Sequence, residues 1–252
     1  MKAKKIAEVI EKYAPQSLAF EWDNVGILCG SNEKEVKKVL LTLDINEFTV
    51  NEAIKSGCDM IISHHPVFFG GVKRIDFNTS DGRMIKNIIN NDITVFAAHT
   101  NMDVANGGIN DALADIFELS NVKYVEDNGL GRYGNLPCKV KLSEFCETVK
   151  EKLDTPFLRV CGSFEKEIET VAVASGSCAE IISAAQKKGC DAVITADMKY
   201  HEMCDSFFSG IAVIDAGHYP TEKIVIEIFE KIIKNIDIEC VKSENTDVFK
   251  FI

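Results

Sequence analysis

Apolar residues recur along the chain in two spacings, one typical of helices and one of buried strands. Residues 4–13 place Ile6, Val9 and Ile10 on one face, which predicts a helix. Short unbroken apolar runs, such as residues 39–43, predict strands that are buried on both faces. The pattern predicts further helices over residues 49–55, 80–90, 110–117 and 142–153, and strands over residues 60–62 and 93–97. This alternation predicts an α/β fold with mostly parallel strand pairing.

The second half of the chain repeats the plan of the first half. Residues 53–62 and residues 185–194 share a helix end, a Gly-Cys-Asp turn and an apolar strand, at an offset of 132 residues (185 − 53). The same offset relates the strand at Val39 to the one at Val171. We interpret the repeat as an internal duplication, which predicts two similar α/β lobes.

The Gly- and Asn-rich segment at residues 126–134 indicates where the two lobes are joined. We therefore expect one lobe over residues 1–127 and the other over residues 128–252. Residues 136–165 have no counterpart in the first half and are interpreted as a connection, without a large inserted domain.

Composition excludes several classes of protein. Of the 252 residues, 46% are hydrophobic and 27% are charged, which is typical of a globular protein. No apolar stretch approaches the ~18 residues that a membrane span needs. The net charge of −11 opposes binding to nucleic acid or to anionic membranes. The nine cysteines form no C-x-x-C pair, so we expect reduced thiols in the cytoplasm rather than disulfides or a thiolate zinc site.

All five histidines follow predicted strands, at the position where ligands bind in open α/β folds. His64 and His65 come directly after a strand, and Pro66 marks the exit of the chain from strand geometry. Two adjacent imidazoles are suited to two neighbouring metal ions. A turn with two exposed rings explains the His-His-Pro sequence equally well, so this segment alone leaves both readings open.

Carboxylates accompany the histidines in both halves. Asp103 follows the strand that ends before His99, where it serves either as a metal ligand or as a turn former. Glu222 lies four residues after His218, so a helix that includes both residues presents them on one face. The alternative for this segment is an ordinary helix start with an acidic first turn.

Imidazole and carboxylate ligands without thiolate suit Zn, Fe, Mn or Co. Two such ions roughly 3.5–4 Å apart form the binuclear arrangement of metal-dependent hydrolases. His99 and His201 remain as candidates for orienting a ligand, for moving protons, or for a purely structural role.

Six segments spread along the chain carry a resemblance to a known family. They are residues 22–30, 63–66, 98–103, 129–132, 199–201 and 217–222. In this order they resemble the NGG-one-interacting-factor-three-like family, whose bacterial members are named GTP cyclohydrolase 1 type 2 homologues. The resemblance implies two related α/β domains with a dinuclear metal site between them, in a hexameric ring.

The resemblance also assigns residues to the metals. It implies that the ligands are His64, His65, Asp103, His218 and Glu222. Glu222 would bridge the two ions, and His99 and His201 would line the site.

Two functions are compatible with such a site. The first is a metal-dependent hydrolase of a small molecule, of cyclohydrolase or phosphoester type, with His99 or His201 as general acid or base. Arg132 and Lys199 are then candidate contacts to a substrate phosphate. The second is a non-catalytic metal-binding or regulatory assembly protein. A ring that threads nucleic acid is a third idea, and it would require a locally basic inner surface.

Overall fold

The computed structural model describes residues 1–250, which contain ten α-helices and eleven β-strands. The helices are α1 (Ala3–Tyr13), α2 (Glu47–Lys55), α3 (Ser80–Asn90), α4 (Thr100–Val104), α5 (Ile109–Ile116), α6 (Leu142–Leu153), α7 (Ile181–Lys187), α8 (Tyr200–Ser209), α9 (His218–Glu222) and α10 (Val225–Ile233). The strands are β1 (Gly26–Cys29), β2 (Lys38–Thr42), β3 (Met60–Ser63), β4 (Thr94–Ala97), β5 (Ser120–Tyr124), β6 (Arg132–Lys141), β7 (Arg159–Cys161), β8 (Glu167–Ser177), β9 (Ala192–Ala196), β10 (Ala212–Asp215) and β11 (Glu239–Lys242). Among the described residues, none of the helices combines the length and the apolar character that crossing a membrane requires.

These elements form two compact units. The first unit comprises Met1–Asn106 and Val225–Thr246, and the second comprises Gly107–Ile224 with residues 247–250. The units differ from the expected lobes of residues 1–127 and 128–252, so the segment at 126–134 is not the boundary between them.

Strand pairing explains this difference. β5 pairs with β6, which places the chain before residue 127 in the second unit. β11 pairs with β2, which returns residues 225–246 to the first unit. The pairing of β11 with β2 joins distant stretches of sequence, for which composition carries no signal. β5 and β6 are neighbours in the chain, and the Gly- and Asn-rich segment that was interpreted as the linker lies in the turn between them.

The first unit is built on a five-stranded sheet with the order β1-β4-β3-β2-β11. β2, β3, β4 and β11 run parallel, and β1 is an antiparallel edge strand. α2 and α3 cover one face, where Leu40, Ile61 and Val95 pack with Val50 and Ile88. α1 packs against α10, which contacts β2. Because helices cover the sheet, β3 and β4 are buried along their whole length.

The second unit is built on a six-stranded sheet with the order β5-β6-β8-β9-β10-β7. β8, β9 and β10 run parallel, while β5, β6 and β7 pair antiparallel. Residues 136–165, expected to be only a connection, supply part of β6, all of α6 and the edge strand β7. Helix α6 begins and ends where the sequence predicted.

The parallel cores of the two units repeat each other in register. Val39 of β2 lies opposite Met60 of β3. Val171 of β8 lies opposite Ala192 of β9, at the same 132-residue offset. In both sheets an antiparallel edge strand lies beside the third parallel strand of the repeat: β1 beside β4, and β7 beside β10. The prediction of two similar α/β lobes is therefore confirmed in these strands.

All nine cysteines, which lie within the described residues, are free thiols. Four of them are buried, and burial raises the pKa of Cys58, Cys146 and Cys190 to about 11. These thiols stay protonated at neutral pH, so they are inert packing residues rather than thiolate ligands.

Candidate metal centre

Three imidazoles of the first unit form one cluster at the carboxyl ends of two neighbouring strands. His64 and His65 follow β3 directly, and His99 lies two positions after the end of β4. The ring centroid of His64 lies 5.0 Å from that of His65 and 5.0 Å from that of His99. One ligand nitrogen from each ring lies within 4.8 Å of the others, so the three side chains could hold a metal ion.

Hydrogen bonds fix the orientation of the first two rings. Nδ1 of His64, which is fully buried, lies 2.9 Å from the carbonyl oxygen of Ala98. Nδ1 of His65 lies 2.7 Å from Oδ1 of Asp44. An imidazole that donates its Nδ1–H to an oxygen presents Nε2 as a lone-pair donor, which is the usual arrangement around metal-bound histidine.

His99 is held in the same way by a buried carboxylate. Its Nδ1 lies 2.9 Å from Oδ1 of Asp23, and the backbone N–H of Thr100 donates to Oδ2 of Asp23 at 3.0 Å. Burial would raise the pKa of Asp23, but the hydrogen bonds from His99 and Thr100 outweigh it and hold that pKa well below its usual range. Asp23 is therefore ionised at neutral pH and anchors the ring.

Asp103 brings a carboxylate to this cluster. It lies in the short helix α4, which begins directly after His99, and it is 8% exposed. Oδ1 of Asp103 lies 3.8 Å from Nε2 of His64. Nδ1 of His64 is bonded to Ala98, and its other ring nitrogen, Nε2, faces the carboxylate of Asp103.

The second unit carries an imidazole–carboxylate pair on one helical turn. α9 begins at His218 and ends at Glu222, as the four-residue spacing predicted, and Nε2 of His218 lies 2.9 Å from Oε2 of Glu222. Nδ1 of His218 lies 2.7 Å from Oδ2 of Asp197, so a carboxylate orients this ring as Asp44 orients His65. Glu222 is 3% exposed.

A glycine makes room for Glu222. Gly176 lies near the end of β8 with a φ of +59°, and a Cβ at this position would collide with Oε1 of Glu222. Its backbone N–H donates to Oγ1 of Thr221 at 3.1 Å, and its carbonyl accepts from Oγ1 of Thr195 at 3.0 Å. The backbone is thus fixed against the helix that carries the carboxylate.

His201 lacks the features of the other four histidines. It is exposed in the first turn of α8, next to the exposed Tyr200, with a ring-centroid distance of 5.3 Å. Within residues 1–250, no group of side chains that could hold a metal includes it.

The two predicted phosphate contacts lie in different environments. Lys199 is exposed and lies 3.6 Å from Glu202. Arg132 is 2% exposed, forms an ion pair with Asp111, donates to the carbonyl of Gly129 at 2.7 Å and stacks over Tyr124 at 4.3 Å. These contacts give Arg132 a structural role in the second unit, because a buried guanidinium with these partners is not directed at solvent.

The residues present fit a divalent metal. Nitrogen and carboxylate donors without thiolate form the set that Zn, Fe, Mn and Co accept. The stronger evidence is that His64, His65, His99 and His218 each have Nδ1 bonded to an oxygen, whereas exposed surface histidines need no such support.

Comparison with known proteins identifies the relatives of this chain. A sequence model of the family described as Duf34/NIF3 (NGG1p interacting factor 3) matches residues 1–248. The chain belongs to the Duf34/NIF3 family. One relative, a protein of Clostridium acetobutylicum named GTP cyclohydrolase 1 type 2 homolog, is 39% identical over 238 residues, covering 92% of this chain and 89% of the relative. A Methanocaldococcus jannaschii protein of the same name is 35% identical, covering 96% of this chain and 98% of the relative.

Solved structures of the Duf34/NIF3 family have the same fold. The crystal structure of a Bacillus cereus protein related to NIF3 has a TM-score of 0.93 at 26% identity, covering 100% of this chain and 99% of that one. Reduced HcgD from Methanocaldococcus jannaschii has a TM-score of 0.87 at 33% identity, covering 97% of this chain and 98% of that one. The family resemblance inferred from the sequence is therefore confirmed.

Sequence reasoning missed the residues that support the ligands. Asp44 and Asp197 each follow a buried parallel strand by one or two positions, which is the signal already used for the histidines. Asp197 also lies at the 132-residue offset from His65, so the repeat itself pointed to it. Gly176 gave no signal, since its close approach to Glu222 depends on tertiary structure.

Proposed function

We propose that this chain binds two divalent cations through His64, His65, Asp103, His218 and Glu222 and uses them to hydrolyse a small molecule. The observation that carries this proposal is the shared support of the imidazoles. Each ligand histidine has Nδ1 held by a carbonyl or a carboxylate, and Nε2 of His64 and of His218 faces an acid. The expectation that both sets of ligands serve one shared site stays a prediction.

When bound, a pair of divalent cations polarises a substrate oxygen and makes water acidic enough to attack at neutral pH. The role that we assign to His99 is general base. Because its Nδ1 is bonded to the ionised Asp23, Nε2 is the atom that accepts a proton, and the carboxylate stabilises the resulting imidazolium.

The ligand chemistry and the names of the relatives support a hydrolytic reaction. Relatives named GTP cyclohydrolase 1 type 2 homolog make a guanine nucleotide the first substrate to test. The bond cleaved would be either in the purine ring or in a phosphoester. Lys199, which is exposed, is our candidate for a phosphate contact, and His201 stays an unassigned candidate for acid–base chemistry.

The setting of this activity is also part of the proposal. We propose a homohexameric ring in the cytoplasm, because the family resemblance implies the ring and nine free thiols suit a reducing compartment. The acidic net charge of −11 favours a small-molecule substrate over nucleic acid.

Metal analysis of variants tests the proposal. Glu222→Gln and His64→Gln each remove a ligand, so purified protein should lose at least one ion per chain, as measured by elemental analysis. The matched controls are His201→Gln, which changes an exposed imidazole, and Glu169→Gln, which changes an exposed carboxylate; both should keep the wild-type metal content. Unchanged metal content in Glu222→Gln would contradict the ligand assignment.

A substrate panel then tests the reaction. GTP and simple phosphoesters are incubated with the loaded protein and with protein stripped by a chelator. Hydrolysis that disappears on stripping and returns with metal supports the hydrolase. Full metal content without hydrolysis of any compound would instead indicate a metal-binding or regulatory protein.

A further inference from the structure

Three consecutive residues ahead of β1, Trp22, Asp23 and Asn24, converge on the surroundings of His99. The ring of Trp22 meets the ring of His99 edge to face, with centroids 5.8 Å apart and an interplanar angle of 73°. Asp23 accepts the hydrogen bond from Nδ1 of His99. Asn24 donates from Nδ2 to the carbonyl oxygen of Phe68 at 2.7 Å. Asp23 orients His99, but this role does not explain the positions of Trp22 and Asn24 on either side of it.

The hydrogen bond of Asn24 controls the position of a second aromatic ring. Phe69, the residue after Phe68, lies 5.6 Å from the ring centroid of His99 at an interplanar angle of 80°. It also lies 6.5 Å from the ring centroid of His65. Because Asn24 fixes the neighbouring carbonyl, it holds this part of the loop, and Phe69 with it, beside the imidazoles.

Both aromatic rings expose most of their surface even though they are fixed in place. Trp22 is 61% exposed and Phe69 is 57% exposed. Trp22 is also braced by the ring of Phe20, with centroids 6.1 Å apart. Ligand sites typically combine exposed aromatic surface with a few converging polar groups. Here that surface borders the imidazole cluster.

We propose that Trp22 and Phe69 bind a planar aromatic ring of the substrate next to the His64, His65 and His99 cluster. Asn24 is a positioning residue that acts through Phe69. The inference rests on the proposed function, which it deepens by naming the residues that recognise the ring of the substrate. Aromatic faces attract other aromatic rings through their quadrupoles as well as through burial.

The size of the effect follows from stacking measured on other proteins. A base stacked on an aromatic side chain loses roughly 5- to 150-fold in affinity when that side chain is replaced by alanine. Trp22→Ala and Phe69→Ala should each weaken binding of a ring-containing ligand by a factor in this range. Phe208→Ala is the matched control, because Phe208 is 84% exposed on α8 and forms its ring contact with Phe207.

Trp22 is the only tryptophan in the chain, so intrinsic tryptophan fluorescence reports on this position alone. GTP and guanosine serve as ring-containing probes, and ribose 5-phosphate and inorganic triphosphate serve as probes without a ring. We expect GTP and guanosine to change the fluorescence of Trp22, and the ringless probes to leave it unchanged. Calorimetry measures the affinity of the variants, including Trp22→Ala, which has no fluorescence signal of its own.

A double-mutant comparison tests the positioning role of Asn24. Asn24→Ala should weaken GTP binding in the wild-type background but cause no further loss in the Phe69→Ala background, because its target ring is already absent. Equal losses in both backgrounds would overturn the positioning role, since a general structural effect adds independently of Phe69.

Metal content measured on the same samples separates this inference from the proposed function. Weakened GTP binding in Trp22→Ala and Phe69→Ala with wild-type metal content supports the inference. Wild-type GTP affinity in both variants at full metal content overturns it and leaves metal binding intact. Wild-type protein that binds no divalent metal under any loading condition would instead overturn the proposed function.

Discussion

Asp197 occupies a backbone conformation that few residues other than glycine adopt. Its φ is +55°, within the left-handed region where asparagine and aspartate are the most frequent side chains after glycine. From this position its carboxylate accepts the hydrogen bond of His218 Nδ1 at 2.7 Å. A residue kept in an unfavourable conformation next to a candidate ligand indicates a functional constraint.

Asp197→Asn tests the charge of the side chain without changing the backbone, because asparagine has the same shape and tolerates the same φ. We expect metal affinity to fall by about 10- to 100-fold, since a neutral amide supports the metal-bound tautomer of His218 less well. Competition with a chromogenic chelator measures the change. Asp205→Asn, at an exposed position of α8, should bind metal like the wild type. Equal affinities in all three proteins would show that Asp197 does not support the ligand.

Gly176 offers a second test with a matched control. Gly176→Ala introduces a methyl group that collides with Oε1 of Glu222. We therefore expect loss of metal from His218 and Glu222 as well as a lower melting temperature. Gly189→Ala has a similar backbone cost, with φ at +81°, but its Cβ would meet no atom of the described residues within 4 Å. The control should lose about 1 kcal/mol of stability and keep its metal. Equal metal loss in both variants would point to backbone strain rather than to the collision.

At the scale of elements, the sequence predicted the positions of the histidines in the fold better than it predicted strand partners. Buried parallel strands are continuous apolar runs, and ligands gather at their carboxyl ends, so the positions of His64, His99 and His218 followed from a local pattern. The spacing from His218 to Glu222 likewise predicted one helical turn. The pairing of β11 with β2 lacked a signal of this kind, because pairing between distant strands depends on the whole fold.

Arg132 shows why charge is a poor guide to a binding role. In the sequence it follows a glycine-rich segment and resembles a phosphate contact, whereas in the structure it lies buried at the start of β6 and pairs with Asp111 of α5. Burial is a tertiary property, so the sequence alone could not separate a structural arginine from a functional one.

The ion pair between β6 and α5 should contribute strongly to stability. Arg132→Ala removes the guanidinium partner of the Asp111 carboxylate. We expect the free energy of unfolding to fall by about 3 kcal/mol. This is the lower end for a buried pair, because Asp111 is 26% exposed. Arg83→Ala removes an exposed pair with Glu47 and should cost at most about 1 kcal/mol. Chemical denaturation measures both losses, and similar small losses would contradict the structural role of Arg132.

At the scale of the whole molecule, the chain leaves the first unit at Asn106 and returns to it at Val225. The returning segment supplies α10 and the edge strand β11, whose register extends the sheet through the pairing of Cys240 with Val39. The first unit is therefore complete only after the second has been synthesised. This connectivity distinguishes the molecule from two lobes joined in simple succession.

Truncation tests whether this returning segment is essential. A chain that ends at residue 224 lacks four buried side chains of α10, namely Val225, Ile228, Phe229 and Ile233. Their burial contributes about 6–12 kcal/mol at about 1.5–3 kcal/mol each, which is comparable with the whole stability of a typical domain. We therefore expect amides in residues 1–106 to lose hydrogen-exchange protection, whereas a chain that ends at residue 246 keeps them protected. Protected amides in the shorter chain would mean that the first unit folds without α10 and β11.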